Sequence, residues 1–510
     1  MCEKLKNVKF LTENIIGIFV AIFVILRTSC VTCYNLWSAV IILNTSLVII
    51  LEHFNCNRLK NFFKLSNSQY SGFVYANLTL FSVTAVQVSN CSFYLENAEE
   101  ASLFQFALHF IITFILIVSN FMVSTALVTS GLNSVLVILI YMNFPETEYS
   151  IFIVFVFILV IVISFGVFVF VCDKSFTFTE VAFLVQSFWI VFFDLHLRFL
   201  NVNMFCLENI KLSIVLELVL LLIAPVIFLI MSDCFLIILC LPFLLLIMMF
   251  VLTLYYAISL QKINLVLIKT VLLLESKWIL LLYWFFLVIF SLVVVYWYAL
   301  TAQSNKIPKT VVRKIFHLIA LFIYLFGWSE SELLALISSL VFYVFIVTEV
   351  MRAKKNTVGL FLNNFLEPFR DENDSGKFIL SHVYLILGLS LPFWLTPYSI
   401  LQSNSLKSLS IFSGVISLGI GDSFASIFGS LYGKSKWSGS NKSHIGTFCC
   451  FLSQFLFSII LIKGLSINIS FISICILSFV CFVVSMLETF SSQNDNLILP
   501  VYMYILFMLL

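Results

Sequence analysis

Apolar runs long enough to cross a bilayer follow one another from Ile15 to Leu510, separated by short polar connections. A helix needs about 20 consecutive apolar residues to span the hydrocarbon core, where every backbone N–H and C=O must find its partner inside the protein. Runs that are continuously apolar, without period-two alternation, can meet that demand only as helices. Charged residues make up 10% of the 510 and hydrophobic ones 62%, whereas an ordinary soluble domain carries about 25% charge. A soluble globular enzyme is therefore excluded, and no nucleic-acid partner is expected. The expected fold is an all-α polytopic integral membrane protein with about 13–17 transmembrane helices. With no long soluble stretch, chemistry must be done by spans and short loops.

The two parts of the chain differ. Residues 1–300 form a nearly featureless hydrophobic multi-span scaffold, and 301–510 hold almost all clustered polar motifs. Cys30-Val-Thr-Cys33 has CxxC spacing, but no second pair or histidine cluster completes a metal site, so it reads as packing. The basic start, MCEKLKNVKF, has no clean small-residue cleavage site after it and reads as the flank of a retained anchor. In the second part the expected spans are 278–300, 315–328, 332–350, 378–395, 411–431, 446–463, 467–487 and 497–510. Connections 301–314, 351–377 and 432–445 lie an even number of spans apart and so share a side. They carry twelve basic residues against two, Lys407 and Lys463, on the opposite side. The positive-inside bias places them in the cytosol.

The most informative segment is Ser413–Thr447, SGVISLGIGDSFASIFGSLYGKSKWSGSNKSHIGT. It sets Asp422 within an apolar, small-residue span. A carboxylate there costs about 3 kcal/mol on insertion scales, which marks it as a functional group. Positions 413, 417, 421, 425, 429 and 433 are Ser, Ser, Gly, Ala, Gly and Gly, an i,i+4 face that another helix or a ligand can approach closely. Gly419 and Gly421 allow a helix break that would free backbone N–H groups for phosphate oxygens. Gly429 to Ser435 is one residue short of a Walker A loop and follows no strand, so it is not a P-loop. Lys434, Lys436 and Lys442 nevertheless offer cations to a polyphosphate, and Trp437 offers a plane to a base. A snorkelling cytosolic loop would explain those lysines but not the density of Gly and Ser.

Three other polar clusters lie at span ends. Arg313-Lys314-Ile-Phe-His317 opens a span, either as a positive-inside anchor or with His317 as a polar group within the bundle. Glu367 to Gly376 is an acidic loop that reads either as a solvated turn or, through Asp371, Glu372 and Asp374, as a source of oxygen ligands for Mg²⁺. Glu488 to Pro500 places Glu488 and Asp495 with three amides and no base between two apolar spans.

Together these pieces resemble the dolichol kinases, CTP-dependent polyprenol kinases of the endoplasmic reticulum. The resemblance rests on five ordered segments: RKIFH at 313–317, EPFRDENDSGKFILSHVYLILGLSLPFWL at 367–395, GDSFASIFGSLYGKSKW at 421–437, KSHIGT at 442–447 and LETFSSQNDNLILP at 487–500. It covers roughly residues 305–510. The first and third pieces would also fit other CTP-using lipid kinases, whereas the DENDSG loop and the SQNDNLILP tail favour dolichol. One position departs: the family usually carries Glu before the Gly-Thr of KSHIGT, and this chain has Ile445.

The resemblance implies transfer of the γ-phosphoryl of CTP to dolichol at the cytosolic face of the endoplasmic reticulum membrane, giving dolichyl phosphate for protein glycosylation. Asp422 would hold Mg²⁺ or another divalent cation, or orient the attacking hydroxyl, while Lys442, Arg313 and Lys314 neutralise phosphate charge. Gly421, Gly429, Gly433, Lys434, Lys436, Trp437 and Thr447 would hold CTP. Asp422, Asp495, Glu488 and Asp371 are the candidate metal ligands. A kinase for another lipid alcohol, or a cytidylyltransferase forming a CDP-lipid, uses the same groups. An ion-coupled transporter with Asp422 in a broken helix would require inverted repeats, and the sequence has none.

Overall fold

A computed structural model describes residues 275–301, 309–353, 357–366, 378–396, 400, 405–438, 440–491 and 493–510, with a few more between 15 and 20 and between 176 and 187. The remainder of 1–300, the Cys30–Cys33 pair and the Asp371 loop lie outside the described residues. The few residues near 180 belong to a separate compact unit. There, Thr177 and Glu180 form a reciprocal capping box, each backbone N–H donating to the other's side chain at 2.8 and 3.2 Å.

From residue 275 onward, all regular structure among the described residues is helical. The helices are α1 (Trp278–Thr301), α2 (Lys309–Gly327), α3 (Ser331–Ala353), α4 (Thr357–Leu366), α5 (Ser381–Leu395), α6 (Ser423–Tyr432), α7 (His444–Gly464), α8 (Phe471–Phe490) and α9 (Asp495–Met508). A 3₁₀ segment, Leu406–Phe412, leads towards a π-helix, Val415–Asp422, which runs straight into α6. Leu333–Ala353, Val415–Tyr432, His444–Gly464 and Phe471–Phe490 are each long and apolar enough to cross a membrane. The described residues have the architecture of an all-α polytopic membrane protein, in keeping with the composition. Polar caps mark where spans begin: Ser443, Ser470 and Asn494 each accept a hydrogen bond from a backbone N–H in the first turn of α7, α8 and α9. The ten-residue α4 lies inside the connection expected over 351–377 and was not anticipated.

Helix α9 is buried on every side from Leu497 to Met508, as a helix apolar all round must be. By contrast α7 and α8 turn Phe448, Ile460, Phe471 and Ile472 outward. Two prolines govern how α9 packs. Pro500 has no N–H, so it cannot bond the carbonyl of Asn496. Gly388 on α5 lies against that oxygen, and a Cβ there would come within 2.0 Å of it. Pro392 likewise cannot bond the carbonyl of Gly388, against which Gly414 packs, its Cβ position 2.6 Å from the oxygen. Glycine is needed at both positions because the neighbour is backbone and cannot rotate away.

The ladder of small residues at 421, 425, 429 and 433 is likewise covered by a helix. Gly421 faces Gln454, Gly429 faces Ser443 and Gly446, and Gly433 faces Ser443, all on α7 or at its cap. The expected break at Gly419 and Gly421 does not occur; the helix widens into a π turn instead.

Gly388→Ala should therefore lower the thermal unfolding midpoint in detergent by several degrees, reflecting overpacking of about 1–3 kcal/mol. Gly464→Ala, which meets nothing within 4 Å, should leave the midpoint unchanged.

Candidate active site

The ends of α2, α7, α8 and α9 bring charged side chains to one place. Lys314 stands near the start of α2, Lys442 two residues before α7, Glu488 in the last turn of α8 and Asp495 at the head of α9. Asp422 closes the π-helix, a distortion frequently found at functional sites. Successive spans run in opposite directions, so the parity that gathers basic connections on one side also gathers these ends.

Lys314 Nζ donates to Asp422 Oδ2. His317 Nε2, one turn further along α2 and buried, is 3.7 Å from the same oxygen. Among the described residues the other oxygen, Oδ1, takes only a 3.5 Å contact from Ser426 Oγ. Lys442 Nζ donates to the Glu488 backbone carbonyl at 2.6 Å, to Glu488 Oε1 at 2.7 Å and to Asp495 Oδ2 at 2.8 Å. Desolvation works against the charged ammonium, but Asp495 and Glu488 outweigh it and hold its pKa above the ordinary lysine value. One carboxylate oxygen from each of Asp422, Glu488 and Asp495 lies within 4.8 Å of the others. Asp495 Oδ1 is buried there without a hydrogen-bond partner.

The loop between α6 and α7 is tied onto the end of α8. Ser440 Oγ donates to the Thr489 carbonyl at 2.9 Å, and Thr447 and Thr489 hydroxyls meet at 2.6 Å. Trp437 Nε1 donates to Thr447 Oγ1 at 2.9 Å, and its ring packs on His444 and Phe490 at centroid distances of 4.1 and 5.4 Å. These bonds fix the backbone on either side of Lys442, and therefore fix where its ammonium falls.

Of the residues singled out from the sequence, Lys314, Asp422, Lys442, Glu488 and Asp495 converge. Lys434 and Lys436 stay exposed on the loop. Gly421, Gly429 and Gly433 pack against α7 or its cap, and the Thr447 and Trp437 polar groups bond within the protein. Asp371 and the Arg313 side chain lie outside the described residues. Arg352, one of the basic residues counted above in the 351–377 connection, is buried. It donates to Glu349 at 2.6 and 2.9 Å and to Asn363 on α4 at 2.9 Å, and Glu349 in turn accepts from the backbone N–H of Ile379. The signal for this network was present as an acid and a base three residues apart in an apolar span. Gln454, wholly buried against Gly421, was also missed, although it is a lone amide in an apolar run.

Over 244 residues the chain is 36% identical to the dolichol kinase of Homo sapiens, covering 46% of this chain and 45% of the human protein. It is 34% identical over 213 residues to dolichol kinase sec59 of Schizosaccharomyces pombe, 38% of either chain. Over 227 residues it is 30% identical to dolichol kinase EVAN of Arabidopsis thaliana, 44% of this chain and 38% of that protein. In each case the chain spans less than half the length of the curated relative it matches. No family model matches, and no solved structure matches.

Ile445, where the resemblance leads one to expect Glu, is 38% exposed and stands in the first turn of α7, just after the Ser443 cap. An acid there meets water and the positive end of the helix dipole. Ile445→Glu is expected to fold, with a melting temperature in detergent equal to or above that of the parent and a gain of up to about 1 kcal/mol. A marked drop would mean that the isoleucine makes an apolar contact the carboxylate cannot replace.

Proposed function

We propose that this chain is a CTP-dependent dolichol kinase, carrying the γ-phosphoryl of CTP to the terminal hydroxyl of dolichol at the cytosolic face of the endoplasmic reticulum membrane. The observation that carries this reading is the meeting of three carboxylates and two lysines at one end of an apolar helical bundle. The similarity to dolichol kinases over nearly half of the chain supports it. Phosphoryl transfer asks little covalent chemistry of a protein; it asks for positioning and for neutralisation of phosphate charge.

Mg²⁺ or another divalent cation fits the residues present. The donors are all hard carboxylate oxygens, and the buried Asp495 Oδ1 has no partner among the described residues. Asp422, Glu488 and Asp495 would hold the ion, which supplies charge neutralisation for the phosphates of CTP. Lys314 fixes Oδ2 of Asp422 and leaves Oδ1 facing Ser426 with only a long contact. That oxygen can accept the hydrogen bond of the incoming dolichol hydroxyl and orient its lone pair. As the new O–P bond forms and the bond between the γ-phosphorus and the bridging oxygen breaks, CDP leaves and the hydroxyl proton passes towards that carboxylate. Lys434 and Lys436, exposed on the loop next to the cluster, supply further cations for the polyphosphate. The polyprenol product would be dolichyl phosphate, the sugar carrier of glycosylation pathways.

Asp422→Asn keeps the shape of the side chain and removes its charge. CTP-dependent phosphorylation of dolichol by the purified variant should fall by several orders of magnitude, with expression and membrane insertion intact. Near-normal turnover would remove Asp422 from the site.

A further inference from the structure

Lys442 occupies a position at odds with a simple phosphate-binding role. An ammonium has three N–H donors. All three are engaged, with the Glu488 carbonyl, Glu488 Oε1 and Asp495 Oδ2 at 2.6–2.8 Å, and none remains for a phosphate oxygen. The nitrogen therefore sits between two of the three carboxylates that come within 4.8 Å of one another. A divalent ion bound to the same oxygens at about 2.0–2.6 Å would lie almost where this nitrogen lies. Two cations cannot share that volume.

We infer that Lys442 is a built-in counter-cation of the metal site: its ammonium and a divalent ion are alternative occupants, and loading the metal drives the ammonium outwards, where it becomes available to a polyphosphate. This rests on the proposed metal role of Asp422, Glu488 and Asp495. The geometry permits the exchange. The Lys442 side chain is 33% exposed, so a flexible four-carbon stem has an open side to turn towards. The loop backbone need not move, because Ser440, Trp437 and Ser443 anchor it independently of the ammonium. In the unloaded protein the lysine keeps the carboxylates from repelling one another. In the loaded protein the same charge is delivered beside the nucleotide. Metal and nucleotide then favour each other's binding, and the free ion alone binds weakly because it must displace a resident charge.

The test uses the full-length protein in detergent and Mn²⁺ as the probe, its binding read by electron paramagnetic resonance. Lys442→Gln should bind free Mn²⁺ at least tenfold more tightly than the parent, whereas Lys442→Arg, which keeps the charge, should not. In the parent protein, saturating Mn²⁺ without nucleotide should raise the acetylation rate of Lys442 several-fold by mass spectrometry and leave Lys434 and Lys436 unchanged. This second measurement needs no variant to fold. If Mn²⁺ binds the parent but Lys442 labelling does not change, or the Gln variant binds no more tightly, the exchange is wrong and the metal site stands. If Mn²⁺ binds with neither the parent nor the parent plus CTP, the metal site itself is wrong and the exchange falls with it.

Discussion

Three carboxylates held within a few ångströms of one another inside an apolar bundle repel strongly and lose their hydration, so cations must lie among them. Here those cations are Lys314, which pairs with Asp422, and Lys442, which pairs with Glu488 and Asp495. The rest of the described structure can be understood as the means of placing these five groups. Four helix ends and one π turn contribute them, and each comes from a different stretch of sequence. Removing one partner would leave a buried charge without compensation.

Backbone-to-backbone packing brings the ends together. The carbonyls left free by Pro392 and Pro500 are met by Gly414 and Gly388, so the π-helix, α5 and α9 approach more closely than side chains would allow. The seam of Gly429, Gly433 and Gly446 does the same for α6 and α7. Close approach of helix backbones is the usual basis of association in lipid, where burying apolar surface gives no net drive. The small residues between 413 and 433 are thus part of how the helices around the cluster come together.

Much of this was legible in the sequence. The span boundaries followed from apolar run length, with α7 and α8 within a few residues of expectation, and Asp422 stood out because a lone acid in a span is costly. Convergence of Lys442 with Glu488 and Asp495 was legible only as a shared side of the membrane, since distance across helices depends on packing that no local pattern encodes. The small-residue face was recognised, but periodicity could not say whether a helix or a ligand lies on it; the answer, α7, depends on a tertiary contact. Trp437 was read as a plane for a base and Thr447 as a CTP contact that the resemblance implies; that their hydrogen bonds also tie the loop to α8 depends on the fold. Arg352 was counted among the basic residues of the 351–377 connection, and its burial with Glu349 required the fold.

The central claim is that this cluster serves CTP-dependent phosphorylation of dolichol. The most direct measurement gives the purified protein CTP labelled on either the α- or the γ-phosphate, with dolichol, diacylglycerol and phytol offered as acceptors. The γ-label should pass to dolichol in preference to the other alcohols, while the α-label stays in the released CDP. Label from the α-phosphate in the lipid, transfer to another alcohol ahead of dolichol, or no transfer from CTP at all would contradict the claim.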